Sequence, residues 1–237
     1  NITGYVSTNG GSTWSALGAT PGDAAQVNAI AISPLSAGVR YIAAAGRDGA
    51  VNTGSACIQY FNLGAAAPAW VDASDAATWT ALGAIQDDFF AVAFSPNFAS
   101  DQIMVGVSHN TAAAGDVEFN IASFNQKAWN ATLFTGYPVV LESTTGAATV
   151  TITSADISLD PDYLGGDDTM RTAFVGAAIT DSVAGQVGGI YRLKDVTLKD
   201  MKATTGVSSV AWNGTNLVAG SSTSNVVYRC DDALAST

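Results

Sequence analysis

Basic residues are scarce in this chain, and so is charge of any kind. Nine Lys and Arg stand against twenty Asp and Glu in 237 residues, a formal net charge of −11, and only 12% of positions are charged. The usual share is about a quarter. A field of that sign repels nucleic acid and anionic membrane surfaces, which excludes both as partners. Histidine occurs once, at His109, and cysteine twice, at Cys57 and Cys230. A zinc centre or a histidine-based catalytic centre therefore lacks its material. No run approaches the ~18 apolar residues of a membrane helix, so the chain is not expected to span a membrane with one. No basic-plus-apolar leader opens it either. Helical pattern is nearly missing: the nearest candidates are Leu193 to Met201 and the tail from Asp231. With no helix to open onto, a Gly-rich phosphate loop is excluded as well.

Alanine, valine and small polar residues fill the space that charge leaves. The chain is 48% hydrophobic and holds 24 Gly. Aromatic and β-branched residues recur throughout, which rules out disorder. Low Lys, abundant Ala, Gly, Ser and Thr, and an acidic balance match an exported protein, extracellular or on a cell surface. Asn1 as first residue fits a mature or trimmed product. Sequons at Asn1-Ile-Thr3, Asn130-Ala-Thr132 and Asn213-Gly-Thr215 are candidate glycosylation sites.

The order of strand-like segments repeats. Val27 to Pro34 alternates apolar and small residues, then Arg40 to Gly46, Cys57 to Phe61 and Thr78 to Leu82 read as three more strands. Phe90 to Pro96 opens a second copy, continued by Gln102 to Val107, Val117 to Phe124 and Ala128 to Thr132. Ala155 to Pro161 opens a third, with Thr172 to Gly176 and Gly189 to Leu193. The last is shorter: Val207 to Trp212, Asn216 to Gly220 and Val226 to Cys230. Four short strands per unit predict an all-β chain, a β-propeller of four-stranded antiparallel blades that belongs to a larger ring. The boundaries are a partial blade at 1–26, blades at 27–89, 90–149 and 150–206, and a partial blade at 207–237. A β-sandwich is the competing fold. Cys57 and Cys230 can pair, but they occupy similar places in different units, which favours two small buried thiols.

Before the first unit lies Ser7-Thr8-Asn9-Gly10-Gly11-Ser12-Thr13-Trp14. Asn-Gly-Gly between β-prone runs signals a hairpin, because these residues tolerate positive φ, and Trp14 is expected to pack inward. Ser7, Asn9, Gly11, Thr13 and Trp14 together resemble the Asp-box of bacterial neuraminidase repeats, with Asn9 in place of the Asp. Ser74-Asp75-Ala-Ala-Thr78-Trp79 looks like a degenerate second copy. The resemblance implies a sialidase-like propeller in which this box is a structural staple between the third and fourth strands of a blade. Sialidases, xyloglucan-cleaving glycosidases, sorting receptors and photosystem assembly factors share that superfamily, so fold alone selects no activity.

Candidate chemistry is thin. A sialidase needs an arginine cluster and a Tyr–Glu nucleophile pair. Arg40, Arg47, Arg171, Arg192 and Arg229 lie in or near strands, and neither Glu118 nor Glu142 has a Tyr evidently tied to it. A two-carboxylate glycosidase can draw on Asp48, Asp87, Asp88 and Asp101. Asp160, Asp162, Asp167 and Asp168 concentrate oxygen ligands that suit Ca²⁺, against the simpler reading of a solvated acidic turn. The expectation is thus a non-enzymatic structural or binding propeller of an exported surface assembly, of surface-layer or extracellular scaffold type. Its partners would be copies of itself, envelope proteins or a glycan; catalytic residues and cofactors are none. The alternatives are a glycoside-active propeller enzyme and an assembly factor that binds a membrane complex.

Overall fold

The computed structural model describes residues 3–19, 24–48, 56–75, 77–80, 88–110, 115–143 and 149–235. The alternating segments form short antiparallel strands. A hairpin of β1 (Thr3–Val6) and β2 (Ser15–Ala19) comes first. The first full sheet runs β3 (Ala24–Ile32), β4 (Arg40–Asp48), β5 (Ala56–Leu63), β6 (Trp70–Asp72). In the second, β7 (Asp88–Phe94), β8 (Ile103–Asn110) and β9 (Asp116–Ser123) are followed by β10 (Ala128–Trp129) and β11 (Val139–Glu142), which share the fourth position along β9. The third holds β12 (Val150–Leu159), β13 (Thr172–Asp181), the short β14 (Gly185–Gln186) on the end of β13, β15 (Ile190–Lys194) and β16 (Thr197–Lys202). The last has three strands, β17 (Val207–Trp212), β18 (Leu217–Ser221) and β19 (Val227–Cys230).

The first strands β3, β7, β12 and β17 pack on one another in chain order, so the sheets stand as successive blades of an arc. A sandwich would bury one core between two sheets; here a separate core fills each seam. Strand period explains how. In β8, Ile103, Val105 and Val107 join the core against the third sheet, while Met104 joins the core against the first. A strand covered on both faces reads as a continuous apolar run, as β8 does.

Two repeated devices shape the seams. Two residues past Pro96 and Pro161 stand Phe98 and Tyr163, both fully buried, one under each of the first two seams. The equivalent residue past Pro34 is Ser36, and neighbouring Leu35 is exposed, because none of the described residues covers it. The second device is a glycine within each second strand, Gly46, Gly106, Gly176 and Gly220, near a register shift in the first strand. A Cβ on Gly46 would collide with the Gln26 carbonyl oxygen. Gly46→Ala is therefore expected to lower stability by about 1–3 kcal/mol, read as a lower urea midpoint at unchanged slope.

Several sequence expectations change. The fourth strand of the first blade is Trp70–Asp72, not the segment from Thr78 to Leu82; Trp79 is 2% exposed, its ring spent in the seam, and Thr80 only bridges Ala128 of the next sheet. Residues 81 and 82 lie outside the described residues. Leu193 to Met201 is no helix but the β15–β16 hairpin, turned at Asp195 with φ 50°. The tail from Asp231 is a turn whose Ala233 and Ala235 carbonyls accept bonds from Arg192 Nη1, both at 2.8 Å. Trp14 is 63% exposed, because the hairpin sits at the end of the arc and nothing described covers that face. Its turn is nevertheless tied. Asn9 Oδ1 accepts from Thr13 N at 2.9 Å, Asn9 Nδ2 donates to Thr13 Oγ1 at 2.8 Å, and Ser7 Oγ accepts from Gly11 N at 2.8 Å.

Candidate functional site

At one end of the arc, the first strands begin and the second strands finish. Backbone pairing lines up Asp88 (β7), His109 (β8), Val117 (β9) and Glu142 (β11) in one rung across the second sheet. Three inter-strand steps separate Asp88 from Glu142, roughly 14 Å between Cα atoms. Two polar clusters follow, one at each end of this rung.

The inner cluster is closed on itself. Asp88 Oδ2 accepts from Arg47 Nη1 at 2.8 Å and Oδ1 from Asn28 Nδ2 at 2.7 Å, while Arg47 Nη2 donates to Gln26. His109 Nε2 donates to the Val150 carbonyl at 2.9 Å, which links the second blade to the third. Burial pushes the Asp88 carboxyl up, against the Arg47 and Asn28 bonds and the His109 charge, which pull it down. The net shift is upward even though the ion pair is intact, since desolvation outweighs the pairing. With both carboxylate oxygens engaged, this network joins blades and leaves little for a substrate.

The outer cluster is open. Glu142 is half-buried at the end of β11, and across the seam Tyr191 pairs with Asp200 in the third sheet. Burial pushes Glu142 up, the charges of Asp200 and Asp181 add to it, and the bond from Ser143 N and the nearby Tyr191 hydroxyl oppose it. Asp200 is also raised, chiefly by desolvation. Burial first, then the charge of Glu142, holds the Tyr191 phenol well above its ordinary range. Tyr191 is 2% exposed and its hydroxyl closes no hydrogen bond of full geometry, a state that buried polar groups rarely occupy. Asp181 is held as a turn acceptor by Val183 N at 2.6 Å and Ala184 N at 2.7 Å, so its charge is fixed beside Glu142. The expectation that no Tyr is tied to a Glu is thus corrected. The two lie 49 positions apart on neighbouring blades, and the only sequence trace is Tyr-Arg recurring at 191–192 and 228–229.

The other candidates have structural places. Asp101 Oδ2 accepts from Ser95 Oγ and Gly165 N, both at 2.7 Å, at the opposite end of the arc. Asp48 ends β4, and Asp87 lies outside the described residues. Of the acidic quartet, Asp160 accepts from Trp212 Nε1 at 2.9 Å and from Asp162 N at 3.0 Å, and Asp167 Oδ1 caps a 3-10 turn through Thr169 at 3.0 Å. Asp167 and Asp168 border a polar cavity of about 440 Å³ with Arg171 and Asp195, themselves paired at 2.8 Å. No three His, Cys, Asp or Glu side chains converge on a metal-sized point among the described residues. The arginines do not cluster. Arg40 bonds the Ser33 carbonyl, Arg229 bonds Asp231, and the other three are engaged as described. Among the sequons, Asn130 Nδ2 donates to Asn120 Oδ1 at 2.8 Å, Asn213 is exposed in a turn, and Asn1 lies outside the described residues.

Cys57 and Cys230 are both free, in the first and fourth sheets. Cys57 is buried, and Cys230 is half-buried rather than fully so. Burial pushes the Cys57 thiol up to about 12, with the Asp72 charge adding to it. Iodoacetamide at pH 8 is expected to modify Cys230 alone in the folded protein and both thiols in urea, as read by peptide mass.

No family model and no curated protein matches the sequence. Among solved structures, the Penicillium chrysogenum alpha-L-arabinanase complexed with arabinobiose aligns with 97% of this chain and 69% of its own, at TM-score 0.52 and 10% identity. The PQQ-bound aldose sugar dehydrogenase of Streptomyces coelicolor aligns with 86% of this chain and 79% of its own, at 10% identity and a TM-score of 0.34, too low to carry an argument. The first likeness establishes the propeller fold. It also overturns the expectation of a non-enzyme: that inference leaned on the bladed repeat and a poverty of catalytic groups. The same architecture serves a glycosidase in that fungal protein, so the bladed repeat gives no ground for a non-enzyme.

Proposed function

We propose that this chain is a glycoside-active propeller whose site lies at the seam of the second and third blades, built on Glu142, Asp200 and Tyr191. The observation that carries the reading is the unpartnered, buried Tyr191 hydroxyl beside two carboxyls that both resist ionisation. Glycosidic cleavage asks for two acids in different protonation states. Glu142 is the better general acid, since burial, Asp200 and Asp181 all favour its neutral form. Its proton passes to the glycosidic oxygen as the bond to the anomeric carbon breaks. Asp200, the solvent-exposed member of the pair, serves in its ionised form as the base that takes a proton from the incoming water. The two acids titrate as a coupled pair, so the macroscopic steps belong to both. Tyr191 donates its free hydroxyl to a sugar oxygen or to the Glu142 carbonyl and orients the acid. The resemblance of Ser7–Trp14 to the Asp-box agrees with a sialidase-like propeller, and the acidic, lysine-poor composition suits an exported enzyme that meets polysaccharide outside the cell.

Arabinan and arabino-oligosaccharides are the first substrates to test, followed by aryl glycosides of other pentoses and hexoses. Release of reducing sugar that depends on Glu142 is the expected result. The reading is overturned if no glycan in the panel is turned over and none binds by calorimetry.

A further inference from the structure

The fourth sheet stops one strand short. In each of the other three, the third strand carries a fourth on its outer edge: β6 on β5, β10 and β11 on β9, β16 on β15. Among the described residues nothing pairs with the outer edge of β19. A row of unpaired backbone groups of this kind is a template for another strand. Beside it lies a cavity of about 290 Å³ between the third and fourth blades, lined by Met201, Lys202, Leu217, Tyr228 and Cys230. Tyr228 and Cys230 point into this seam, whereas Val227 on the opposite face is 76% exposed.

The molecule itself shows what fits there. Each fourth strand couples apolar residues to a carboxylate: Trp70-Val71-Asp72, Val139-Val140-Leu141-Glu142, and Leu198 with Asp200 and Met201. The carboxylates stand opposite Gln59, Val117 and Tyr191 of the third strands. Tyr228 repeats the place of Tyr191 in the Tyr-Arg pair, and the Lys202 ammonium lies 5.0 Å from its ring centroid. An acid arriving opposite Tyr228 would therefore meet Lys202.

We propose that the outer edge of β19 docks an extended strand of a partner polypeptide, apolar at alternate positions and carrying a carboxylate opposite Tyr228. Backbone pairing with β19 gives the affinity, an apolar side chain in the cavity gives the register, and the acid at Lys202 gives the direction. The inference is independent of the enzymatic reading, since the edge and the carboxyl cluster lie on different seams.

The test extends the chain after Thr237 with a flexible Gly-Ser linker of about a dozen residues and the strand Val-Val-Leu-Glu-Ser. The tether holds it at an effective concentration in the millimolar range. A matched chain ends in Val-Val-Leu-Lys-Ser. The acidic version is expected to slow alkylation of Cys230 at least fivefold and to protect the amides of β19 from exchange, with monomeric mass and unchanged near-UV dichroism. The lysine version should change either rate less than twofold. Absence of protection in the acidic version overturns the proposal, and equal protection by both strands overturns the role of its carboxylate. Protection of Cys230 in the unextended chain that rises with its own concentration, together with a dimer mass, assigns the edge to a second copy and overturns it too.

Discussion

Glu142→Gln is expected to lower kcat on a glycan or aryl glycoside by about 10²–10⁴-fold with little change in KM, the signature of a lost proton donor. The amide keeps the shape of the side chain and removes only its titratable proton. Asp200→Asn should bring a loss of similar order. Tyr191→Phe should cost less in rate but move the pH profile, because it removes the neighbouring hydroxyl that favours ionised Glu142. Wild-type turnover should fall as pH rises through the elevated carboxyl range, since the acid must be protonated to act. A linked effect appears in stability. Glu142 and Asp200 have folded-state values raised above those of the unfolded chain. The folded state thus binds protons more tightly; the stabilisation is complete below the ordinary carboxylate range and disappears as pH rises through the raised values. Urea midpoints measured from pH 4 to 7 should show this slope, and Glu142→Gln should flatten it. A variant that keeps full turnover would remove Glu142 from the chemistry outright.

Phe98→Ala is expected to cost about 3–5 kcal/mol. The ring is fully buried and meets Tyr41 at 5.4 Å, Phe94 at 5.0 Å and Phe124 at 5.2 Å between centroids, largely edge to face. Edge-to-face contacts of this kind add to the area that the ring buries. For a chain of this size the loss corresponds to a drop on the order of 10 °C in Tm. Leu35→Ala, near the corresponding place in the first blade, should stay within about 0.5 kcal/mol because that side chain is exposed. Calorimetry on the two variants checks the contrast. Similar losses would mean that the two positions are equally packed in solution.

Much of the architecture was legible because propeller blades are built from local signals. Alternation in Val27 to Pro34 and in Phe90 to Pro96, the Ser-Pro endings, and the glycine within each second strand are written in consecutive residues, and strand period turns them into blade faces directly. The misplaced elements failed for one reason. Thr78 to Leu82 carries strand propensity, yet Trp79 finds more burial in the seam than a ladder could offer it. Leu193 to Met201 is rich in helix formers, yet a left-handed turn at Asp195 folds it into a hairpin between strands already in place. Tertiary burial decides such contests, and local propensity registers none of it.

The candidate site divides along the same line. By itself the sequence determined the blade repeat, the strong negative charge and the near-absence of histidine and cysteine chemistry, because composition and short-range spacing set all three. Only the tertiary structure decided which acids are spent in bonds between blades and which stand in an open seam. Asp88 and Asp101 are drawn into bonds that hold blades together, and the acidic quartet from Asp160 to Asp168 is spread over turns and a tryptophan of the next blade. Glu142, Tyr191 and Asp200 come from two sheets and mean nothing in isolation. They meet because stacking the second blade on the third buries Tyr191 and part of Glu142 in one seam, where withdrawal from water favours the neutral form of the acid beside an unbonded hydroxyl.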